Sequence, residues 1–398
     1  QSILCINICM AILSYIILLL CIHIFPKFQE ERKLLYAMSI MIFLNVIGLD
    51  WLYKGLEEYK VIAVRAVIVK LIVFLLTFVL IKDKADLILY GGITVCGLYG
   101  VGIWNFGEAK KYISFKPNNG IHIIEHIRPI SIFFFMSVAT VVYTNLDIVM
   151  LGFMTNDTQM GYYDASVKIK TLLTAVVASL GTVILPRVSY YIELGKNREF
   201  ENISQRALNC IFLLAGPLVV YFTIYAKPTI LLLSGKLFVN AVASMRIIMP
   251  TVLLIGITNI TGIQMLVPLG KEKWVLYSEI VGAIANLGIN ILLIPRYKAA
   301  GAAFGTLIAE IIVLLIQLIG IKNYTKKIFY NIQYWKIAIS IVLAVFSSTW
   351  VLSINATLIV KLFVSGVIFS SVYLLVLLLL KEKEVLSNYQ QIISKIRK

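Results

Sequence analysis

Long apolar runs separated by short polar segments dominate the chain. A helix needs roughly 20 apolar residues to cross a bilayer core, and about twelve runs approach that length. The predicted spans are residues 3–25, 34–53, 61–81, 87–106, 130–154, 165–188, 207–225, 247–269, 274–294, 299–321, 337–354 and 357–380. A closed barrel would show weaker alternating segments of about ten residues. The pattern therefore predicts an all-α integral membrane protein, a polytopic helical bundle.

The composition supports this fold class and excludes nucleic acid as a partner. Hydrophobic residues make up 60% and charged residues 14% of the chain, and the mean hydropathy is +0.92. The net charge of +16 comes mainly from short segments between apolar runs, so membrane topology explains it better than a basic binding face does.

Lys and Arg are distributed unequally between alternate connections. One set holds about twice as many as the other. The richer set comprises residues 54–60, 107–128, 187–206, 270–273, 322–336 and 381–398. This set is predicted to be cytoplasmic, which places the C-terminus in the cytoplasm. Of the other connections, 226–246 predicts a partial helix at the outer surface.

Charged residues within the predicted spans are candidate sites, because each costs several kcal/mol unless it snorkels, pairs or faces water. Arg65 lies about 6 Å from the cytoplasmic end of its span and could snorkel, whereas Lys70 lies about 13 Å in. Lys70 is interpreted as facing a water-filled cavity, with a structural pair as the alternative. Lys361, near an outer end, is expected to snorkel.

The next candidates lie in residues 128–187. Asp147 is expected about 10 Å from the outer end of its span, and Lys168 and Lys170 about 5 to 8 Å from the outer end of theirs. A pair between Asp147 and one of these lysines is geometrically feasible. The competing interpretation pairs Asp164 with Lys168 at i, i+4. Both a transport role and a structural role remain open.

Three further polar positions lie deep in later spans. Glu310 lies close to the midplane, about eleven residues into its span. Asn286 and Asn290 share a helix face at i, i+4, and such residues are more often interhelical hydrogen-bonding partners than ligands.

One short pattern is typical of an enzyme. His122, Glu125 and His126 have the H-x-x-E-H spacing that places two histidines on one helix face for zinc. The alternative is an amphipathic cytoplasmic helix. Because no third ligand can be identified, no metal site is predicted. No nucleophile triad or phosphate loop is found, so the sequence predicts a protein that is not an enzyme.

Several stretches carry a family resemblance. They are Gly48–Tyr59, Asn145–Gly152, Gly161–Tyr163 with Lys168, Gly181–Arg187, Pro268–Lys273, and Asn290–Pro295 leading to Gly301–Ala303. In this order they cover most of residues 45–325. The set resembles the polysaccharide-biosynthesis flippases, the O-antigen and capsule exporters of the multidrug/oligosaccharidyl-lipid/polysaccharide superfamily.

The resemblance implies a fold of fourteen helices, with two pseudo-symmetric six-helix lobes in a V and two extra C-terminal helices. The chain begins with what matches the third helix, so it is expected to be N-terminally truncated. The implied domains are the rest of the N-lobe at 1–106, an interlobe linker at 107–120, the C-lobe at 121–321, and the extra helices with the tail at 322–398.

The resemblance also implies a function. The expected substrate is an undecaprenyl-pyrophosphate-linked oligosaccharide, moved across the bacterial cytoplasmic membrane by alternating access without a cofactor, with coupling to an H⁺ or Na⁺ gradient. Expected partners are membrane lipids, a polysaccharide polymerase and glycosyltransferases. The cations available for the pyrophosphate are Arg65, Lys70, Lys168 and Lys170, and the candidates for coupling or ion pairing are Asp147, Asp164 and Glu310.

Two alternatives remain. A cation-coupled multidrug exporter of the same superfamily would favour acidic cavities, whereas the predicted spans hold more Lys and Arg than Asp and Glu. A membrane polysaccharide polymerase or ligase would be expected to carry a large extracytoplasmic loop, which the sequence does not predict.

Overall fold

The computed structural model describes residues 2–49, 52–53, 56, 58–83, 86–109, 111–112, 144–330 and 332–387. Helices dominate these residues, and no strand occurs among them. The chain divides into two compact units, unit 1 (Gln1–Met136) and unit 2 (Ser137–Lys398). The pattern at His122–His126 and most of the predicted linker 107–120 lie outside the described residues.

The described residues of unit 1 form four long helices and one short helix. They are α1 (Ser2–Ile24), α2 (Pro26–Glu30), α3 (Arg32–Ile47), α4 (Tyr59–Leu80) and α5 (Leu87–Ala109). Helix α5 packs against both α3 and α4, and α1 packs against α3. The close approach of α5 to the end of α3 requires glycine, because a Cβ atom on Gly102 would lie 2.6 Å from the Cα atom of Gly48.

This approach can be tested by replacing Gly102 with alanine. The added methyl group should force the two helices apart and destabilise the protein by about 1–3 kcal/mol. Gly92→Ala on the same helix is the control, because a Cβ atom there meets nothing within 4 Å and alanine favours a helix more than glycine does. Thermal unfolding in detergent should give a lower midpoint for Gly102→Ala only. Equal midpoints for the two variants would contradict the packing.

Unit 2 contains the remaining helices. They are α6 (Thr144–Met154), α7 (Asp157–Glu193), α8 (Asn197–Ile224), α9 (Ala226–Leu233), α10 (Ala241–Ile248), α11 (Pro250–Thr258) with a π-helical continuation (Asn259–Leu266), α12 (Glu272–Gly320), α13 (Lys322–Tyr330), α14 (Tyr334–Thr349) and α15 (Leu358–Leu379). Helix α9 lies within the segment predicted to form a partial helix.

Eight helices in the described part of the chain are long and apolar enough to cross a membrane. One of them, α12, has 49 residues and would measure about 74 Å if straight, far more than one bilayer core. Its backbone reverses at Lys298, where φ is 51° and ψ is −129°. The side chain of Gln317 donates to Ser278 Oγ at 3.3 Å, so the two limbs are antiparallel. This confirms the two predicted spans 274–294 and 299–321.

Helix α7 corrects one predicted boundary. The sequence places the start of this span at residue 165, but the helix begins at Asp157. The backbone N–H of Gln159 donates to Asn156 Oδ1 at 3.1 Å, and this N-cap satisfies one of the free donors at the helix start. Because the helix starts eight residues earlier than the predicted span, Lys170 lies about 20 Å from the start of the helix.

The connections of unit 2 sort into the two groups that the charge distribution predicts. At one end, Lys327 pairs with Glu201 at 2.7 Å and Arg206 pairs with Glu384 at 3.0 Å. These contacts join residues 187–206, 322–336 and 381–398.

At the other end of unit 2, the N–H of Ala299 donates to Gln159 Oε1 at 3.4 Å. Ser166 Oγ donates to the carbonyl of Ala241 at 3.1 Å. Segments predicted to share one side of the membrane therefore lie together in the fold.

The last two long helices belong to unit 2. Helices α14 and α15 pack against each other, and both contact α8. Tyr373 donates from its hydroxyl to the carbonyl of Leu213 at 2.9 Å, and Lys336 donates to the carbonyl of Lys381 at 3.0 Å. The first bond joins α15 to α8, and the second joins α14 to the residues that follow α15.

Candidate functional site

A buried carboxylate lies at the centre of unit 2. The side chain of Asp147 is surrounded by protein, and the residue is 4% exposed. Its Oδ1 atom accepts hydrogen bonds from the Nδ2 atoms of Asn286 at 2.9 Å and Asn290 at 2.6 Å. Its Oδ2 atom accepts from the hydroxyls of Tyr163 at 2.6 Å and Thr306 at 2.7 Å. Four helical segments therefore converge on one charge.

The sequence explains how each donor reaches the carboxylate. Asn286 and Asn290 are four residues apart and so lie on one face of the first limb of α12, while Thr306 comes from the second limb. The limbs can approach because residue 305 is glycine. A Cβ atom on Gly305 would collide with Asn290 Oδ1. The predicted interhelical role of the two asparagines is confirmed.

Charged hydrogen bonds offset part of the cost of burying this carboxylate. The sequence left open a direct ion pair between Asp147 and a lysine of the next helix. In the described part of the chain, Asp147 forms no such pair, and hydroxyl and amide groups satisfy its oxygens instead. The carboxylate is therefore held in place by neutral donors.

Asp147 lines a cavity of about 300 Å³ inside unit 2. Other polar residues of the lining are Thr144, Lys170, Thr258, Asn259, Glu279, Asn286, Thr306, Glu310 and Gln317. Asn259, Gly262 and Ile263 line the cavity from the π-helical segment. This form of helix is frequent at functional sites. Among the described residues, three carboxylates and one lysine line the cavity, namely Asp147, Glu279 and Glu310 against Lys170. With all four groups ionised, its net charge is negative.

The charged groups of the cavity lie at different depths. Measured along their helices from the end that carries residues 155–164, Asp147 lies about 10 Å in, Lys170 and Glu310 about 20 Å in, and Glu279 about 28 Å in. The cavity is therefore a polar column that runs along the helices, with Lys170 at an intermediate level.

The two candidate lysines of α7 have different surroundings. Lys168 forms an ion pair with Asp164 at 2.8 Å on an exposed face, as the alternative interpretation of the sequence proposes. Lys170 lines the cavity, where Glu310 and Asp147 are the carboxylates that act on its charge. Residues i and i+2 of a helix lie on different faces, so the two side chains lie in different environments.

Unit 1 holds Arg65 in a defined position. Its guanidinium lies 5.3 Å from the ring centroid of Tyr53 and 5.6 Å from that of Trp104. One N–H donates to Asn105 Oδ1 at 2.8 Å. The Nδ2 atom of Asn105 donates in turn to the carbonyl of Gly48 at 3.3 Å. Because Asn105 is the one hydrogen-bond partner of Arg65 among the described residues, most of the guanidinium donors are available to a ligand.

Lys70 lies on the same helix as Arg65 but has no comparable surroundings. Its side chain is exposed, and no described residue forms a hydrogen bond or ion pair with it. Depth alone favours Lys70 over Arg65 as a substrate-binding cation, whereas the local geometry favours Arg65. Lys70 stays a prediction.

Three members of the unit 2 site were not singled out from the sequence. Tyr163 and Thr306 are neutral and common in helices, and only the folded chain brings them to a carboxylate. Glu279 lies near a predicted helix end, where a charge is ordinarily solvated. Its spacing from Asn286 and Asn290, which places all three on one helix face, was the available signal.

Comparison with known sequences finds a family match and relatives that share one description. The sequence model of the family described as "Polysaccharide biosynthesis protein" matches residues 1–192. A "Putative O-antigen transporter" of Shigella dysenteriae is 27% identical over 319 residues, which are 76% of this chain and 76% of the relative. A protein of Escherichia coli (strain K12) with the same description is 23% identical over 303 residues, covering 75% of this chain and 72% of the relative.

A solved structure has the same fold. The "Lipid II flippase MurJ, inward closed conformation" matches with a TM-score of 0.73 and 19% sequence identity, over 94% of this chain and 82% of that chain. This agreement supports an all-α polytopic membrane bundle, and the relatives are transport proteins rather than enzymes. The family match over residues 1–192, the two relatives and the shared fold all agree with the resemblance of the sequence to the polysaccharide-biosynthesis flippases.

Proposed function

We propose that the protein moves an undecaprenyl-pyrophosphate-linked oligosaccharide across the bacterial cytoplasmic membrane by alternating access, driven by a cation that binds at Asp147. The names of the relatives and of the structural neighbour support the substrate class. The observation that carries the energy coupling is the buried Asp147 carboxylate, with four donors on its oxygens and a net negative cavity beside it.

The two units have complementary chemistry in this proposal. Arg65 of unit 1 presents a planar fork of donors, which suits the oxygens of a pyrophosphate. The cavity of unit 2 would repel the same group and attract a monovalent cation, which can replace the donors of Asp147 with its own charge. Lys70 and Lys168 are secondary candidates for the substrate.

We propose that the C-terminus lies on the cytoplasmic side. The gathering of the connections rich in Lys and Arg at its end of unit 2 supports this proposal. A polysaccharide polymerase and the glycosyltransferases that build the repeat unit are the proposed partners, since they would act on the product and supply the substrate of such a flippase.

The direct test is a strain that lacks the gene. Lipid-linked repeat units should accumulate in the inner leaflet, where an impermeant sugar-oxidising label cannot reach them in intact cells but can reach them in lysed cells. Expression of the full-length protein should restore labelling in intact cells. Normal labelling of the deletion strain would contradict the proposal.

The same strain separates the alternatives. The acidic cavity of unit 2 is the one observation that favours a cation-coupled multidrug exporter, and that function predicts increased sensitivity to cationic drugs with normal polysaccharide. A polymerase or ligase defect would leave single repeat units exposed on the cell surface. A flippase defect leaves none.

A further inference from the structure

Lys170 is the one basic residue among the described residues that line the cavity of unit 2. It lines the cavity, and Glu310 and Asp147 lie near enough to act on its charge. Yet among the described residues no hydrogen bond or ion pair reaches its Nζ atom. A lysine carries its charge on a flexible four-carbon stem. Its ammonium group can therefore change its position within the cavity by rotation of the side chain alone.

A buried carboxylate without a counter-charge is costly, so a coupling ion that leaves Asp147 must be replaced or the empty state is disfavoured. We propose that Lys170 is an internal counter-cation that competes with the coupling ion for the carboxylates of the cavity. This inference rests on the proposed coupling at Asp147. When the ion binds, its charge repels Lys170 towards Glu310, and when the ion leaves, Lys170 moves to neutralise Asp147.

The surroundings of Lys170 argue against the simpler role of binding the substrate pyrophosphate. Among the described residues, the titratable groups that face Lys170 across the cavity are the carboxylates of Asp147, Glu279 and Glu310, and the phenol of Tyr163 contacts Asp147 from α7. A pyrophosphate placed beside Lys170 would meet three like charges and one opposite charge. A monovalent cation placed there would instead be attracted by three carboxylates and repelled by one ammonium group.

A competing internal cation lowers the affinity for the coupling ion and thereby speeds its release. Replacing Lys170 with methionine keeps the length and apolar character of the stem but removes the charge. Purified protein in detergent is titrated with sodium chloride against choline chloride at constant ionic strength, and separately with acid in choline chloride, with the thermal unfolding midpoint as the readout.

The unfolding midpoint of the wild-type protein should reach a plateau in either the sodium or the proton titration. For Lys170→Met, half of the change should occur at a sodium concentration at least tenfold lower, or at a pH at least one unit higher, than in the wild type. Lys170→Arg should remain near wild type. Lys361→Met is the matched control, because Lys361 also lies on a spanning helix but donates to the carbonyl of Leu352, away from the cavity.

The outcomes separate the two proposals. No saturation of the wild-type protein in either titration would overturn coupling at this cavity and, with it, the role of Lys170. Saturation with the same half-point in wild type and Lys170→Met, or a weaker affinity in the variant, would overturn the role of Lys170 alone. If Lys170→Met does not fold, Lys170→Gln, which keeps a polar tip, gives the same comparison.

Discussion

Asp147→Asn is expected to reduce export of the oligosaccharide at least tenfold and to remove its dependence on the cation gradient. The substitution keeps the shape of the side chain but removes the charge that would attract the ion. It also replaces one acceptor oxygen with an NH₂ group, so up to two buried donors lose their acceptor, at about 1–3 kcal/mol each. Surface polysaccharide at matched protein level, with and without a sodium or proton gradient, measures the effect.

Two variants separate loss of coupling from loss of fold. Tyr163→Phe removes one donor to Asp147 but keeps the carboxylate, so it should lower the unfolding midpoint slightly and retain gradient-dependent export. Glu193→Gln, at the exposed end of the same helix, should behave as wild type. Gradient-dependent export by Asp147→Asn at the normal level would exclude Asp147 as the coupling residue.

Arg65→Lys is expected to lose most of the export activity although it conserves the charge. A lysine ammonium cannot reproduce the planar contact with Tyr53 and Trp104 or donate in a fork to two phosphate oxygens. Arg65→Ala should lose at least as much. Lys60→Ala, on an exposed position of the same helix, is the control for a general effect of positive charge.

The measurement for Arg65 is again surface polysaccharide at matched protein level, together with the unfolding midpoint of each variant. Full export by Arg65→Ala would exclude a substrate role. Full export by Arg65→Lys with loss in Arg65→Ala would show that charge suffices and that the aromatic contacts only support the fold.

The sequence located the spans well because hydropathy reports directly on the bilayer. Every predicted span that lies in the described residues overlaps a helix, including the pair joined at Lys298. Helix α7 extends beyond its predicted span through residues 157–164, which are polar, because hydropathy cannot separate a polar loop from a polar helical turn. The signal for the true start was the N-cap residue Asn156.

Only part of the site could be predicted from the sequence. Asp147 and the asparagine pair could be found, because a charge or an amide within an apolar run is conspicuous. Their convergence could not, because the partners of Asp147 are up to 159 residues away along the chain. Depth alone also could not distinguish Lys168 from Lys170, since the choice depends on which face of α7 is turned towards the cavity.

The reversal at Lys298 limits how the carboxylate cluster can change. The two limbs of α12 are in backbone contact at the turn, where a Cβ atom on Gly301 would lie 2.6 Å from the carbonyl oxygen of Leu293, and they are joined again at the far end, where Lys271 donates to the carbonyl of Gly320 at 3.1 Å. Because its two limbs contact each other at both ends, the hairpin is expected to move as one rigid body. Asn286, Asn290 and Thr306 should therefore keep their mutual spacing, and in the proposed coupling the ion would enter or leave when α6 or α7 moves against the hairpin.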